Sequence, residues 1–201
     1  SLTVDGVDAP NSSIFELSAH VGTVLQDPDG QFIGLTVGED IAFALENSCV
    51  PQKEMHEITR HAAELVGIEN RLDHAPHELS GGQKQRLAIA RAIAKNPKIY
   101  VFDDSFSALD MKTDAALRRA LETKTEHTTV IIVAQRISTI LHADQILVLD
   151  DGKIVGKGTH EELLHNCEVY EQIARPGLRG RRYAQSLHRL QQIYEVRSPA
   201  S

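Results

Sequence analysis

The amino-acid sequence predicts an α/β fold in which helices cover a mainly parallel sheet. Between residues 81 and 165, segments with helical periodicity alternate with short apolar runs of strand length. The predicted helices cover 82–95, 113–124 and 136–142, and the predicted strands cover 99–103, 129–134 and 145–150. Such alternation favours parallel strands joined by helices, with ligands bound outside the carboxyl ends of the strands.

The flanking segments complete this prediction. Residues 1–36 are typical of strands and turns, with a strand over 21–25 that ends at Gln26. Residues 37–80 have the apolar spacing of helices. The pair Asp151-Gly152 predicts a hairpin turn into a strand over 153–157, and the capping box at 159–162 predicts a short final helix.

Composition excludes several classes of protein. The net charge of −7 argues against general nucleic-acid binding. Cys49 and Cys167 are too few for a disulfide framework, which favours a reducing cytosolic setting. No stretch approaches the roughly 18 apolar residues of a membrane span, and no signal peptide opens the chain. Any membrane role is therefore expected to come through a partner or a further segment.

A Ser-Gly-Gly run at the start of a helix is the first candidate site. Ser80 can cap the helix, and Gly81 and Gly82 allow a phosphate to approach the main chain. Taken alone, this run is more often a flexible turn. About fifteen residues later, however, a buried strand ends in Asp103 and Asp104, and this arrangement is typical of a nucleotide site.

The run 79–83, its helix and the strand at 99–103 together resemble the ATP-binding-cassette (ABC) ATPases, in which the run is the signature loop. The resemblance spans roughly residues 1–172. It implies a partial P-loop NTPase (RecA-like) core with a small helical signature subdomain, and ATP and Mg²⁺ as ligands. The implied segments are a core remnant at 1–36, the helical subdomain at 37–95, the main core at 96–174 and a basic tail at 175–201.

The resemblance assigns a role to each candidate residue. Gln26 matches the Q-loop glutamine, whose amide oxygen reaches Mg²⁺ and whose following loop contacts a membrane partner. Asp103 matches the Walker B aspartate that binds Mg²⁺. The ATP-contacting signature loop comprises Ser80, Gly81, Gly82 and Gln83. A lone glutamine before a turn, or an aspartate at a strand end, is otherwise an ordinary solvated residue.

Two catalytic positions depart from the family pattern. Asp104 stands where the family carries a glutamate base, and its side chain is one methylene shorter. A displacement of about 1 Å can cost on the order of a hundredfold in rate. Gln135 stands in place of the switch histidine, and an amide cannot carry a proton charge. These differences resemble the degenerate subunit of an asymmetric transporter, whose own site hydrolyses ATP poorly.

The phosphate-loop pattern G-x-x-x-x-G-K followed by Ser or Thr does not occur in the sequence. The chain is therefore expected to be a cassette truncated before that loop and inactive alone. In the family, two cassettes pack head to tail, and each signature loop contacts ATP held by the other. Asp110 matches the D-loop aspartate between the two sites, although Ser107–Asp110 is also an ordinary helix cap. The expected partners are a second ABC subunit, more readily a different one than a copy, and transmembrane domains.

Two styles of ABC protein meet in this chain. Residues 26–34 and 37–43 resemble energy-coupling-factor importers, whereas residues 103–110 and 133–139 resemble heterodimeric multidrug exporters. Natural recombination, an assembled chimera and divergence all explain this, so the direction of transport stays open. The function expected is that of an ATP-binding subunit at the cytoplasmic face of the cell membrane. The alternatives are a non-transport ABC ATPase and a non-enzymatic regulatory module.

Overall fold

The computed structural model describes residues 3–106, 117, 121, 128–134 and 137–174, and the backbone of residues 192–197. The chain forms two compact units, Ser1–Thr128 and Thr129–Ser201. The four-segment division expected from the sequence differs from these units and stays a prediction. Within the described residues, no helix is both long enough and apolar enough to cross a membrane.

In its described residues, the first unit combines two pairs of strands with the α-helices α1 to α4. Strands β1 and β2 form an antiparallel pair, whereas β3 and β4 are parallel, with Val21 opposite Ile99 and Val24 opposite Phe102. The elements are β1 Thr3–Val4, β2 Val7–Asp8, α1 Ile14–His20, β3 Val21–Val24, α2 Val37–Asn47, α3 Gln52–Val66, α4 Gly81–Lys95 and β4 Ile99–Asp103. Parallel pairing of β3 with β4 brings the carboxyl ends of both strands to the same edge.

Polar caps determine where these helices begin and end. Thr36 begins α2 with a full capping box to Glu39. Helix α3 ends at Gly67, whose φ of 68° is the left-handed conformation that glycine adopts without steric cost. Helix α1 was not expected, because residues 1–36 were interpreted as strand and turn. Its capping box between Ser13 and Glu16 is the sequence signal that identifies it.

Strand β4 and helix α4 both contribute large buried side chains to the core of the first unit. Tyr100 and Phe102 are 1% exposed, and their rings stack with centroids 5.9 Å apart. Leu87 and Ile89 of α4 are fully buried. Burial of this kind stabilises each large side chain by roughly 1.5–3 kcal/mol. The core therefore fixes α4 and β4 within one unit.

The part of the second unit that the structure describes contains four strands and two short α-helices. Its elements are β5 Thr129–Ala134, β6 Gln145–Asp150, β7 Lys153–Gly158, α5 His160–Asn166, α6 Glu168–Ala174 and β8 Gln192–Arg197. Strand β8 pairs antiparallel with both β5 and β6. Asp151 and Gly152 have φ values of 48° and 73°, as the predicted hairpin between β6 and β7 requires.

Two elements of the second unit differ from expectation. Within the predicted helix 136–142, the structure has a 3₁₀ turn at Ile137–Thr139. The Ile140 amide donates to the Ile137 carbonyl at 3.0 Å, so the chain makes the tighter three-residue bond instead of an α-helical one. Strand β8 lies within the segment 175–201, for which the sequence analysis gives only a basic tail. Most of the predicted helix 113–124 lies outside the described residues.

Candidate functional site

The signature loop forms a capped helix N-terminus. The Ser80 hydroxyl accepts the Gln83 amide at 3.4 Å, and the Gln83 side chain accepts the Ser80 amide at 2.9 Å. Gly81 and Gly82 follow the cap, at positions where an α-helix offers their amides no intrahelical acceptor. The space beside Gly81 is open, since a Cβ there would meet no heavy atom within 4 Å. This geometry suits a phosphate oxygen, which the helix dipole also favours.

A second group of candidate residues meets where β3 and β4 end. Asp103 is the last residue of β4, and Gln26 comes two residues after β3. The Gln26 amide nitrogen lies 3.5 Å from an Asp104 carboxylate oxygen, although the two residues are 78 positions apart. Asp104 has a φ of 42°, a left-handed conformation in which aspartate is enriched. The structure thus brings Gln26 and Asp104 together, as the predicted site requires.

Ser105 links the two strand ends at this site, and the sequence analysis did not identify it. Its side chain is fully buried, and its hydroxyl lies 2.9 Å from the Val24 carbonyl and 3.2 Å from that of Asp103. The hydroxyl therefore joins the end of β3 to the turn after β4. A serine directly after paired carboxylates at a strand end is the only sequence signal for this role.

The donor set at this edge fits Mg²⁺. Gln26 and Asp103 supply amide and carboxylate oxygens, which this hard cation prefers. Among the described residues there is no cluster of three His, Cys, Asp or Glu side chains that could hold a metal alone. Mg²⁺ commonly uses one or two carboxylates and completes its shell with water and substrate phosphates. Bound in that way, it would neutralise charge on the phosphates.

Helix α4 also contacts the segment around Gln26. Gln85 is 1% exposed, and its amide donates to the Leu25 carbonyl at 3.3 Å. Lys84 pairs with Asp29 at 2.9 Å. Because Lys84 and Gln85 directly follow the signature loop, the loop and the Gln26 segment are joined within one unit. A buried glutamine in an apolar helix stripe was the signal available in the sequence.

At the end of α4 opposite to the signature loop, one cation has a lowered pKa. Lys95, at the end of α4, donates to the Val21 carbonyl at 3.0 Å. Burial lowers the pKa of Lys95 below its usual value, and the nearby charge of Arg91 lowers it further. The lysine thus attaches the carboxyl end of α4 to the start of β3, at an electrostatic cost. Two further predicted site residues, Asp110 and Gln135, lie outside the described residues.

Comparison with known proteins decides the family. The sequence profile of the ABC transporter family matches residues 1–107 of the chain. The chain belongs to the ABC transporter family. Members of this family are ATP-binding ATPases, so the resemblance expected from the signature loop is confirmed.

Individual ABC relatives match most of the chain. It is 43% identical over 175 residues to an ABC transporter ATP-binding protein of Clostridium perfringens, covering 85% of this chain and 31% of that protein. It is 41% identical over 175 residues to the energy-coupling factor transporter ATP-binding protein EcfA1 of Lactobacillus delbrueckii, covering 86% of this chain and 62% of that protein. The chain therefore spans only part of its relatives' length.

A solved ABC structure confirms the fold class. A bacterial Atm1-family ABC exporter with ATP bound superimposes with a TM-score of 0.76 at 32% identity. The match covers 88% of this chain and 32% of the exporter chain. The predicted α/β, P-loop NTPase class is therefore confirmed.

Proposed function

We propose that the chain is part of the ATP-binding ATPase of an ABC transporter, and that its signature loop completes an ATP site presented by a second cassette. The observation that carries this proposal is the geometry at Ser80. Its oxygen accepts the Gln83 amide at 3.4 Å, which leaves the hydroxyl hydrogen to donate outward. The relatives named as transporter ATP-binding proteins support a transport role over the non-transport alternative.

The residues at the ends of β3 and β4 would serve this chain's own half of the cassette pair. Asp103 and Gln26 would hold Mg²⁺, and Asp104 would orient or deprotonate the attacking water. Because aspartate is one methylene shorter than glutamate, Asp104 would hold that water less closely to the phosphate. Hydrolysis is therefore proposed to be faster at the site completed by Ser80 to Gln83 than at the site of Asp104.

The membrane partner is proposed to contact the segment after Gln26 and the cleft beside it. Ile33 and Leu35 are 62% and 83% exposed. Between α2 and α3 lies a cleft of about 760 Å³ that Thr59 helps to line. The carboxylates of this cleft are Glu39, Glu46, Glu64, Glu69 and Asp73, with Arg60 as the cation among its lining residues. Thr59 is 7% exposed, and its buried hydroxyl has no hydrogen-bond partner among the described residues. A basic segment of the partner would supply a positive charge to the carboxylates of the cleft and a hydrogen-bond donor to the Thr59 hydroxyl.

The trans-completion proposal is tested by mixing this chain with a cassette that has an intact phosphate loop. The Ser80→Arg substitution should fill the open space at the helix N-terminus and lower the ATPase rate of the mixture by about a hundredfold, the loss typical of a removed transition-state contact. His77→Arg is the matched control, because it adds the same cation at an exposed position three residues earlier. An unchanged rate with Ser80→Arg would show that the loop does not serve the partner's site.

The asymmetry between the two sites is tested in the same mixture. Asp104→Asn removes the carboxylate while keeping the side-chain size. Asp104→Asn should lower the ATPase rate of the mixture much less than Ser80→Arg does, because the faster site is proposed not to use Asp104. Equal losses from the two substitutions would contradict the asymmetry.

Docking at the cleft is tested by charge reversal in the whole transporter. Glu64→Lys should weaken retention of the chain on the detergent-solubilised membrane domains, most clearly at low ionic strength. Glu54→Lys is the control, since Glu54 lies on the same helix but outside the cleft lining. Equal retention of both variants would place the partner elsewhere.

A further inference from the structure

The segment between Gln26 and α2 is held to α4 by buried polar contacts that the proposed ATP chemistry does not use. Arg91, on the side of α4 that faces this segment, donates to the Gln31 carbonyl at 2.7 Å. The same guanidinium lies 3.3 Å from an Asp40 carboxylate oxygen. Arg91 therefore contacts the segment and the start of α2 at the same time.

Asp40 is the buried anchor of this arrangement. Its side chain is fully buried, and one carboxylate oxygen accepts the amides of Ile33 and Gly34 at 2.7 and 3.0 Å. The other oxygen forms an ion pair with Arg91 and accepts no hydrogen bond from the described residues. A buried carboxylate is costly unless it is paired and hydrogen-bonded, so these contacts depend on one another. Gly34 packs so closely that a Cβ there would overlap the Asp40 amide nitrogen.

The contacts on α4 are spread along the helix. Lys84 pairs with Asp29, and Arg91 donates to the Gln31 carbonyl. These two cations are seven residues apart, which is about 10.5 Å of helix at 1.5 Å per residue. Two attachment points on one rigid helix resist both sliding and rotation of the segment. A displacement of residues 27–36 would therefore carry α4 with it.

We propose that Arg91 and Asp40 are positioning residues that couple the segment after Gln26 to the signature loop. Arg91 transmits a displacement of the segment along α4 to Ser80, and Asp40 holds Arg91 and the loop amides in register. This inference rests on the proposed function, because its consequence is a change in hydrolysis at the site that Ser80 completes.

The test uses the two-cassette mixture and measures kcat and KM for ATP. Arg91→Lys keeps a cation opposite Asp40. It removes the second guanidinium nitrogen, which donates to the Gln31 carbonyl of the segment. Asp40→Asn keeps an acceptor for the two amides but removes the charge that faces Arg91. Each variant should lower kcat about tenfold, a coupling effect of ordinary size, while KM stays within about twofold. Lys95→Met is the control on the same helix, since Lys95 contacts β3 and not the segment; it should leave both constants within about twofold.

Ser80→Arg separates failure of this inference from failure of the proposed function. If Ser80→Arg leaves the rate unchanged, the proposed function fails. If Ser80→Arg removes activity while the two coupling variants match Lys95→Met, the coupling role is overturned. A rise in KM with an unchanged kcat would also overturn it, because that result indicates ground-state binding. Thermal unfolding checks the fold of each variant, and Arg91→Lys alone decides the outcome if Asp40→Asn does not fold.

Discussion

Replacing Ser105 with alanine removes the hydrogen bond that joins the ends of β3 and β4. The hydroxyl is fully buried and lies 2.9 Å from the Val24 carbonyl. Net loss of such a bond costs about 0.5–1.5 kcal/mol, and a buried acceptor left with less solvation adds to it. We therefore expect Ser105→Ala to lower the free energy of unfolding by about 1–2 kcal/mol.

The structure offers a matched control for this substitution. Ser48 ends α2, is exposed, and donates its hydroxyl to the Ala44 carbonyl at 3.0 Å. Water can replace that bond, so Ser48→Ala should change stability by less than about 0.5 kcal/mol. For a chain of 201 residues, 1 kcal/mol corresponds to a melting-temperature shift of roughly 2–4 °C. The expected decrease for Ser105→Ala is thus about 2–8 °C.

Urea unfolding of the wild type and both variants measures this difference. The slope m should not change, because neither substitution alters the surface exposed on unfolding. Equal midpoints for Ser105→Ala and Ser48→Ala would refute the reasoning, since they would show that the buried hydroxyl does not hold the two strand ends together. The close approach of Gln26 and Asp104 would then have to be explained by other contacts.

Three further predictions test the packing. Gly34→Ala should destabilise the chain by about 1–3 kcal/mol in urea because its Cβ would overlap the α2 backbone, whereas Gly30→Ala, with open space around it, should be nearly neutral. Burial raises the pKa of Tyr100 to about 12, so the phenol loses its proton at a lower pH in the unfolded chain than in the folded one, and the free energy of unfolding should fall by about 2 kcal/mol between pH 10 and 12. Ultraviolet titration of the wild type and of Tyr100→Phe checks this prediction. An equal pH dependence of stability in the two proteins would contradict it. Gly156→Ala would place a Cβ 2.8 Å from the Cys167 sulfur, so thermal unfolding should show a lower melting temperature that Cys167→Ala partly restores.

Local patterns in the sequence were sufficient for most of the first unit and for the edge where its site lies. The apolar run at 99–103 became β4 with the same bounds, since alternating burial and the following carboxylates both mark a strand end. The helix predicted over 82–95 begins one residue earlier in the structure, at Gly81, because Ser80 is its N-cap. Such features depend on neighbours in sequence, and periodicity or capping therefore detects them.

Contacts between distant residues were not predictable in the same way. Asp40 and Arg91 are ordinary charged residues in sequence, and only the packing of α2 against α4 pairs them. Likewise, β8 lies between β5 and β6, a pairing that no turn signal in the sequence indicates. Bringing residues together that are far apart in sequence depends on the whole fold, whereas helix and strand propensities depend on neighbouring residues only.

The distribution of charge on α4 fits both its proposed binding of an anion and its attachment to the rest of the unit. Its N-terminus presents amides at Gly81 and Gly82, while the cations farther along are engaged with backbone carbonyls or carboxylates of the same unit. Arg86 contacts the carbonyls of Gly67 and Gly82, at 3.1 and 3.3 Å. Because those cations are occupied within the unit, attraction for phosphate is concentrated at the capped turn, where the dipole acts within the first turn only. In the proposed function, recognition of a phosphate held by a partner would then depend on how closely that turn approaches it, and so on any displacement of α4.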